Sequence, residues 1–178
     1  LTPDTEYDIQ VRAVNKDGAS EWTTLKGRTI KDPLDEAIRD ITATNSTPDW
    51  EGLEVAKMFD FNEKNYWHTD YYKKEGVLPF DMTMNLHGIA KLDKIQYLPS
   101  SERDSHGQIY KGRIATSFDG SNWTENGTFE WNKDGGEKEY KFKGEPEAQY
   151  VKMTVEETKG GQASGTELYL FKTPGSKM

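Results

Sequence analysis

From Ile38 to Phe171 the apolar residues come in short bursts at every second position, and turn-forming residues separate the bursts. Phe80, Met82, Met84 and Leu86 alternate with Asp81, Thr83 and Asn85. A period of two lines one face of an extended strand; a helix would need apolar residues three and four apart. The same reading gives a strand over 38–44, a loop over 45–57, and a run over 92–98 in which Ile95 and Tyr97 share a side. Further strands are predicted over 109–117, 127–131, 140–143, 149–155 and 168–171. Ser117-Phe-Asp-Gly-Ser-Asn-Trp123 predicts a tight turn in which Asp119-Gly120 supplies the left-handed position. About eight strands at this spacing, with almost no helix signal, predict an all-β sandwich or jelly roll.

Composition narrows the function classes. Only 33% of the residues are hydrophobic but 12% are aromatic, so the core must lean on Trp, Tyr and Phe. The net charge of −8 argues against a nucleic-acid partner, which needs a basic face, and against an anionic bilayer. No apolar run approaches the roughly 18 residues of a membrane span. Cysteine is absent, which excludes disulfides and thiol nucleophiles and leaves the compartment open. No serine nucleophile elbow, zinc spacing or phosphate loop is present, and His68, His87 and His106 make no metal signature. The carboxylates scatter over strands and turns rather than facing each other across a cleft, so the chain reads as non-catalytic. It also reads as beginning inside a domain, with no leader segment expected.

One stretch stands apart, Asp60-Phe-Asn-Glu-Lys-Asn-Tyr-Trp-His-Thr-Asp70. Oxygen-bearing side chains at 60, 62 and 65 suit a loop around a hard cation such as Ca²⁺. The Tyr66-Trp67-His68 that follows suits a shallow polar ligand such as a sugar. An ordinary polar loop with Trp67 in the core would read the same way, and there is no EF-hand pattern.

The first thirty residues read differently. Tyr7, Ile9, Val11 and Ala13 alternate with polar residues, Asn15-Lys-Asp-Gly18 is a turn, and 20–29 is a second strand. Leu1, Pro3, Thr5 and Tyr7, with Arg12-Ala-Val-Asn15, resemble the tyrosine corner and penultimate strand of a fibronectin type III domain. The resemblance covers only the last two strands of that domain. Residues 1–30 are therefore expected to be an incomplete domain, 31–36 a linker set by Pro33, 37–173 the main domain and 174–178 a tail.

The main domain resembles the discoidin, or coagulation-factor type C, family, whose bacterial form is carbohydrate-binding module family 32. The matching residues are Ile41-Thr-Ala-Thr44, Met58-Phe-Asp60, Tyr66-Trp-His-Thr69, Tyr97-Leu-Pro99, Ser117 to Trp123, Gln149-Tyr-Val-Lys152 and Gly165-Thr-Glu-Leu168. The resemblance implies an eight-stranded, galactose-binding-domain-like jelly roll with a structural Ca²⁺ and a sugar site on the loops at one end. It places calcium ligands at the carbonyls of Met58 and Thr166, at the side chains of Asp60, Asn65 and Glu167, and at Asn62 through its backbone or side chain. Phe61 stands where the family usually has Gly, Asn62 where it has Asp, and Asn65 where it has Thr or Ser.

For the sugar, the resemblance implies His68 as a hydrogen-bonding imidazole; Trp50, Tyr71 and Tyr72 are the residues whose rings could supply a stacking face for sugar C–H patches. Arg103 would supply a guanidinium, and His106 stands where galactose binders commonly have Asn. Trp50 could equally pack beneath its own loop, His106 could cap a turn, and one of Tyr71 and Tyr72 should point inward. A fibronectin type III piece followed by such a module resembles the tails of secreted bacterial glycoside hydrolases, including chitobiase-like hexosaminidases. The expected function is thus a non-catalytic binder of galactose- or N-acetylhexosamine-type glycans, covalently linked to an upstream catalytic domain and secreted, periplasmic or on the bacterial surface. The alternative is a cell-surface adhesion or membrane-binding discoidin domain that recognises a protein or a lipid head group.

Overall fold

The structure, a computed structural model, describes residues 1–72, 77–101 and 106–178. These residues form two compact units, Leu1–Asp35 and Glu36–Met178.

In the first unit β1 (Glu6–Val11) pairs antiparallel with β4 (Thr23–Arg28), and β2 (Val14–Asn15) pairs with β3 (Gly18–Ala19) across the turn. Gly18 sits at φ +142°, a conformation L side chains rarely adopt. The register places Ile9 opposite Leu25 and Asp8 opposite Lys26. One face of the ribbon is therefore apolar, and Ile9 and Leu25 remain 47% and 54% exposed. The other face carries Lys26 against Glu6 and Asp8, while Arg28 pairs with Asp4, all of them exposed. Exposed pairs add little stability. At its base the Tyr7 hydroxyl accepts the Thr2 N–H at 2.7 Å.

Among its described residues the second unit is all-β apart from short 3₁₀ turns. Its strands are β5 (Thr42–Asn45), β6 (Trp67–His68), β7 (Phe80–Leu98), β8 (Ile109–Ser117), β9 (Thr124–Glu130), β10 (Lys138–Lys141), β11 (Glu147–Thr158), β12 (Ser164–Gly165) and β13 (Glu167–Lys172). The sequence pattern predicts separate strands over 80–86 and 92–98; the backbone runs through both as one strand of 19 residues. The first half of β7 lies between β5 and β11, and its second half lies between β10 and β13. Beyond β11 come β8 and then β9. One strand thus belongs to both layers of the sandwich. A register shift where Phe171 and Lys172 pair with Lys94 and Leu92 changes the alternation there. The buried side chains switch from Phe80, Met82, Met84, Leu86, Ala90 and Leu92 to Ile95 and Tyr97. A one-residue slip reverses the face a strand presents, so both halves point their apolar residues into the shared core.

That core is rich in aromatic residues. Trp67 and Tyr97 are both fully buried. The Tyr97 hydroxyl donates to the Ser164 carbonyl at 2.5 Å and accepts the Ile109 N–H at 3.2 Å, and burial raises its pKa. This bond fixes β12 over β7 and β8. The strand β12 pairs in turn with β6, which gathers the loops around residues 48–72, 106–108 and 159–166 at one end of the sandwich.

Candidate functional site

Two neighbouring groups of side chains occupy that end. The first surrounds the loop after the 3₁₀ turn Val55–Met58. Asp60 Oδ1 accepts the Asn62 N–H at 3.0 Å, and Asp60 Oδ2 accepts the Asn65 amide at 2.8 Å. From far along the chain Glu167 Oε1 accepts the same Asn62 N–H at 2.6 Å. Met58 is fully buried, and its side chain lies against Gly165, next to Thr166. The Thr166 N–H donates to the Leu98 carbonyl at 2.8 Å. Asp60, Asn62, Asn65 and Glu167 are therefore brought together although 105 residues separate Asn62 from Glu167.

This donor set fits a hard cation. Glu167 Oε2 and Asn65 Oδ1 are buried oxygens that accept no hydrogen bond among the described residues. Burying a carboxylate without a partner is costly. Burial, reinforced by the negative charge of Asp60, pushes the Glu167 carboxyl up to about 7. An oxygen-coordinated cation would relieve both the repulsion and the missing partners. Among the described residues no three His, Cys, Asp or Glu side chains cluster as a metal group, and the set contains only two carboxylates.

Phe61 sits at φ +59°. A non-glycine residue is held there by packing: the Arg39 guanidinium lies 3.9 Å over its ring, and Tyr169 lies 5.1 Å away.

The second group is aromatic. Trp50 meets Tyr71 edge-on at 4.9 Å between centroids and lies 5.2 Å from Tyr72. Tyr72 is 86% exposed and Tyr71 is half-buried, so one tyrosine points out and the other in. His68 lies one layer lower, only 3% exposed, with its ring stacked 3.8 Å from that of Tyr71. Its Nδ1 is 2.5 Å from the Thr69 carbonyl, so the proton sits on Nδ1 and is donated there. The sequence reading puts His68 at the ligand surface; the structure puts it beneath Tyr71.

His106 is exposed and close to the same strands. The Ser164 hydroxyl donates to its carbonyl at 2.6 Å. Gly107 makes this approach possible, because a Cβ there would lie 2.7 Å from the backbone of Ala163 and Ser164. Arg103 lies outside the described residues.

Two residues of this end carry no motif in the sequence. Gln162 is buried and donates to the Tyr71 carbonyl at 2.7 Å, tying the late loop to the aromatic group. Asp49 ties the Trp50 loop to β6 through Trp67 Nε1 at 2.7 Å. A carboxylate one residue before a loop tryptophan has no periodic signal, and its partner is visible only in three dimensions.

The F5/8 type C domain family matches residues 40–168. The chain belongs to this family. A CBM32 module of Clostridium perfringens, solved in complex with GalNAc-β-1,3-galactose, is 32% identical, with 76% of this chain and 99% of that one covered at a TM-score of 0.69. The family 32 module of C. perfringens NanJ, in complex with galactose, is 24% identical over 77% and 98% of the two chains, with a TM-score of 0.70. The C-terminal domain of a chitobiase from Bacteroides fragilis is 24% identical over 76% and 95%, with a TM-score of 0.66. At that identity the last two show the fold alone. A galactose oxidase of Gibberella zeae is 25% identical over 162 residues, 88% of this chain. The chain spans only 23% of that relative's length. No helix among the described residues is long and apolar enough to cross a membrane.

Proposed function

We propose that this F5/8 type C domain is a non-catalytic carbohydrate-binding module that directs a secreted glycoside hydrolase to glycans of the galactose or N-acetylhexosamine type. The observation that carries the reading is the group of Trp50, Tyr71 and Tyr72 at one end of the sandwich, with His106 nearby. Sugar C–H patches pack on aromatic rings, while their hydroxyls need polar partners. The 32% identical relative bound to GalNAc-β-1,3-galactose supports the choice of ligand class. Tyr71 and Tyr72 offer ring faces and hydroxyls, and His68 supports Tyr71 from below. An open surface of this kind binds a monosaccharide at about millimolar Kd, near −4 kcal/mol. Tethering to a catalytic domain makes such weak binding sufficient, because it sets a high effective concentration.

Three further parts belong to the proposal. Ca²⁺ would be held by Asp60, Asn65 and Glu167 with Met58, Asn62 and Thr166, and it would neutralise the paired carboxylates and clip the last strand to the first loop. Residues 1–30 are the end of a fibronectin type III domain; the hydrogen bond from the Thr2 N–H to the Tyr7 hydroxyl supports this, since a tyrosine corner ties its ring back to the chain a few residues upstream. The setting is secreted, periplasmic or at a bacterial surface, with the catalytic domain upstream.

The test is a chemical-shift titration with galactose, N-acetylgalactosamine and N-acetylglucosamine. Shifts at Trp50, residues 68–72 and His106 are expected, without turnover of an aryl glycoside. Shifts confined to the 117–123 turn, or none with any of the three sugars, would overturn the reading.

A further inference from the structure

Asp49 makes more hydrogen bonds to its surroundings than a loop carboxylate needs. Its Oδ1 accepts Trp67 Nε1–H and the Asn45 amide, each at 2.7 Å, and its Oδ2 accepts the Val55 N–H at 2.9 Å. Trp67 is fully buried, and Val55 opens the 3₁₀ turn. One side chain therefore joins the core, the end of β5 and the far end of the loop that carries Trp50. Around it the backbones interlock: Trp50 N–H donates to the His68 carbonyl, His68 N–H to that of Leu53, and Asp70 N–H to that of Pro48. Asp49 itself bridges to Thr69.

We infer that Asp49 is the positioning residue of the aromatic face: through Trp67 Nε1 it sets the height and angle of Trp50 against Tyr71 and Tyr72. This rests on the carbohydrate reading above. The chemistry calls for a carboxylate in particular. All three partners are N–H donors, and only an ionised carboxylate offers acceptors alone. Asparagine at 49 would present an N–H to one of them. Asn45 can accommodate that change, because its buried Oδ1 has no hydrogen-bond partner among the described residues and could turn to accept. Trp67 Nε1–H cannot, since indole nitrogen only donates. The Val55 backbone N–H cannot accept either, so D49N leaves either Trp67 Nε1–H or the Val55 N–H unmet, and either loss displaces the Trp50 loop held between them.

The experiment labels the five tryptophans with 5-fluorotryptophan, assigns Trp50 through W50F, and compares wild type, D49N, W67F and D49N/W67F. In D49N the Trp50 resonance should move, those of Trp22, Trp123 and Trp131 should stay, and affinity for N-acetylgalactosamine should fall about tenfold, the cost of one unmet buried donor. In the W67F background, where the indole donor is gone, adding D49N should change affinity by less than about threefold, the non-additivity expected of coupled residues. An unmoved Trp50 resonance, or movement of all five together with a large drop in Tm, would overturn the inference and leave Asp49 a general fold residue. If W67F fails to fold, D49N alone decides by the same resonances. If wild type binds none of the sugars, the carbohydrate reading fails while the fluorine spectrum still decides the positioning role.

Discussion

Replacing Phe61 tests how the loop beside Glu167 is held. At φ +59° an L side chain costs about 1–2 kcal/mol. Packing offsets that cost: the Arg39 guanidinium 3.9 Å over the ring contributes about 0.5–1 kcal/mol, and the contact with Tyr169 at 5.1 Å about 0.5–1.5 kcal/mol. F61A keeps the strained backbone and loses both contacts, so it should destabilise by about 1–2.5 kcal/mol. F61G loses the same contacts but relieves the strain, and gives back part of the gain as unfolded-chain entropy, about 0.5–1 kcal/mol. The glycine variant should therefore be the more stable of the two by about 0.5–1 kcal/mol, or roughly 2–3 °C in Tm. This inverts the usual order, in which glycine is the worse residue. Urea unfolding followed by tryptophan fluorescence, with calcium and again with EDTA, measures both. An alanine variant equal to or more stable than the glycine variant would show that the strain at 61 is no larger than the chain entropy glycine costs.

Millimolar Ca²⁺ should raise the Tm above that in EDTA, by as much as about 2.7 kcal/mol of stability at a hundredfold excess over Kd, and E167Q should abolish the difference; identical melting curves for wild type would remove the cation. W50A, Y71A and Y72A should each weaken sugar binding by about tenfold; Y72A, whose ring is 86% exposed, should leave Tm nearly unchanged, while Y71A uncovers the His68 ring and should lower it; unaltered affinity in all three would displace the site. Amides over 7–29 should exchange fast compared with those of Met82 and Met84, because a lone ribbon with an exposed apolar face is marginal; strong protection there in a dilute sample would contradict this.

Much of the sandwich is readable in the sequence because strands write their burial with a period of two. Phe80, Met82, Met84 and Leu86 announce their face, and Ile95 and Tyr97 announce theirs. The continuity of β7 is hidden for the same reason. Its alternation changes phase beside Lys94, and a phase change looks like an end. The predicted first strand shrinks to Thr42–Asn45, because Ile38 instead donates its N–H to the Leu170 carbonyl. At the site, residue types identify aromatic candidates but not their depth, so nothing in Trp67-His68-Thr69 says that Tyr71 would cover the imidazole. Asp49 and Gln162 act through partners 18 and 91 residues away, and no local pattern encodes such a pair.

The sharing of β7 between both layers has a kinetic consequence. Its second half is completed only by β13, and the first segment of the unit closes on the last, with Ala37 bridged to Phe171. The layer that holds β10 cannot be finished before residues 167–172 are made, because they supply the second flank of residues 92–98. Most of the pairings that matter join distant residues, which makes such topologies slow to nucleate. A nascent chain of this unit carries one edge of the second half of β7 open until β13 has been made, and that unpaired edge is exposed to misassociation in the meantime.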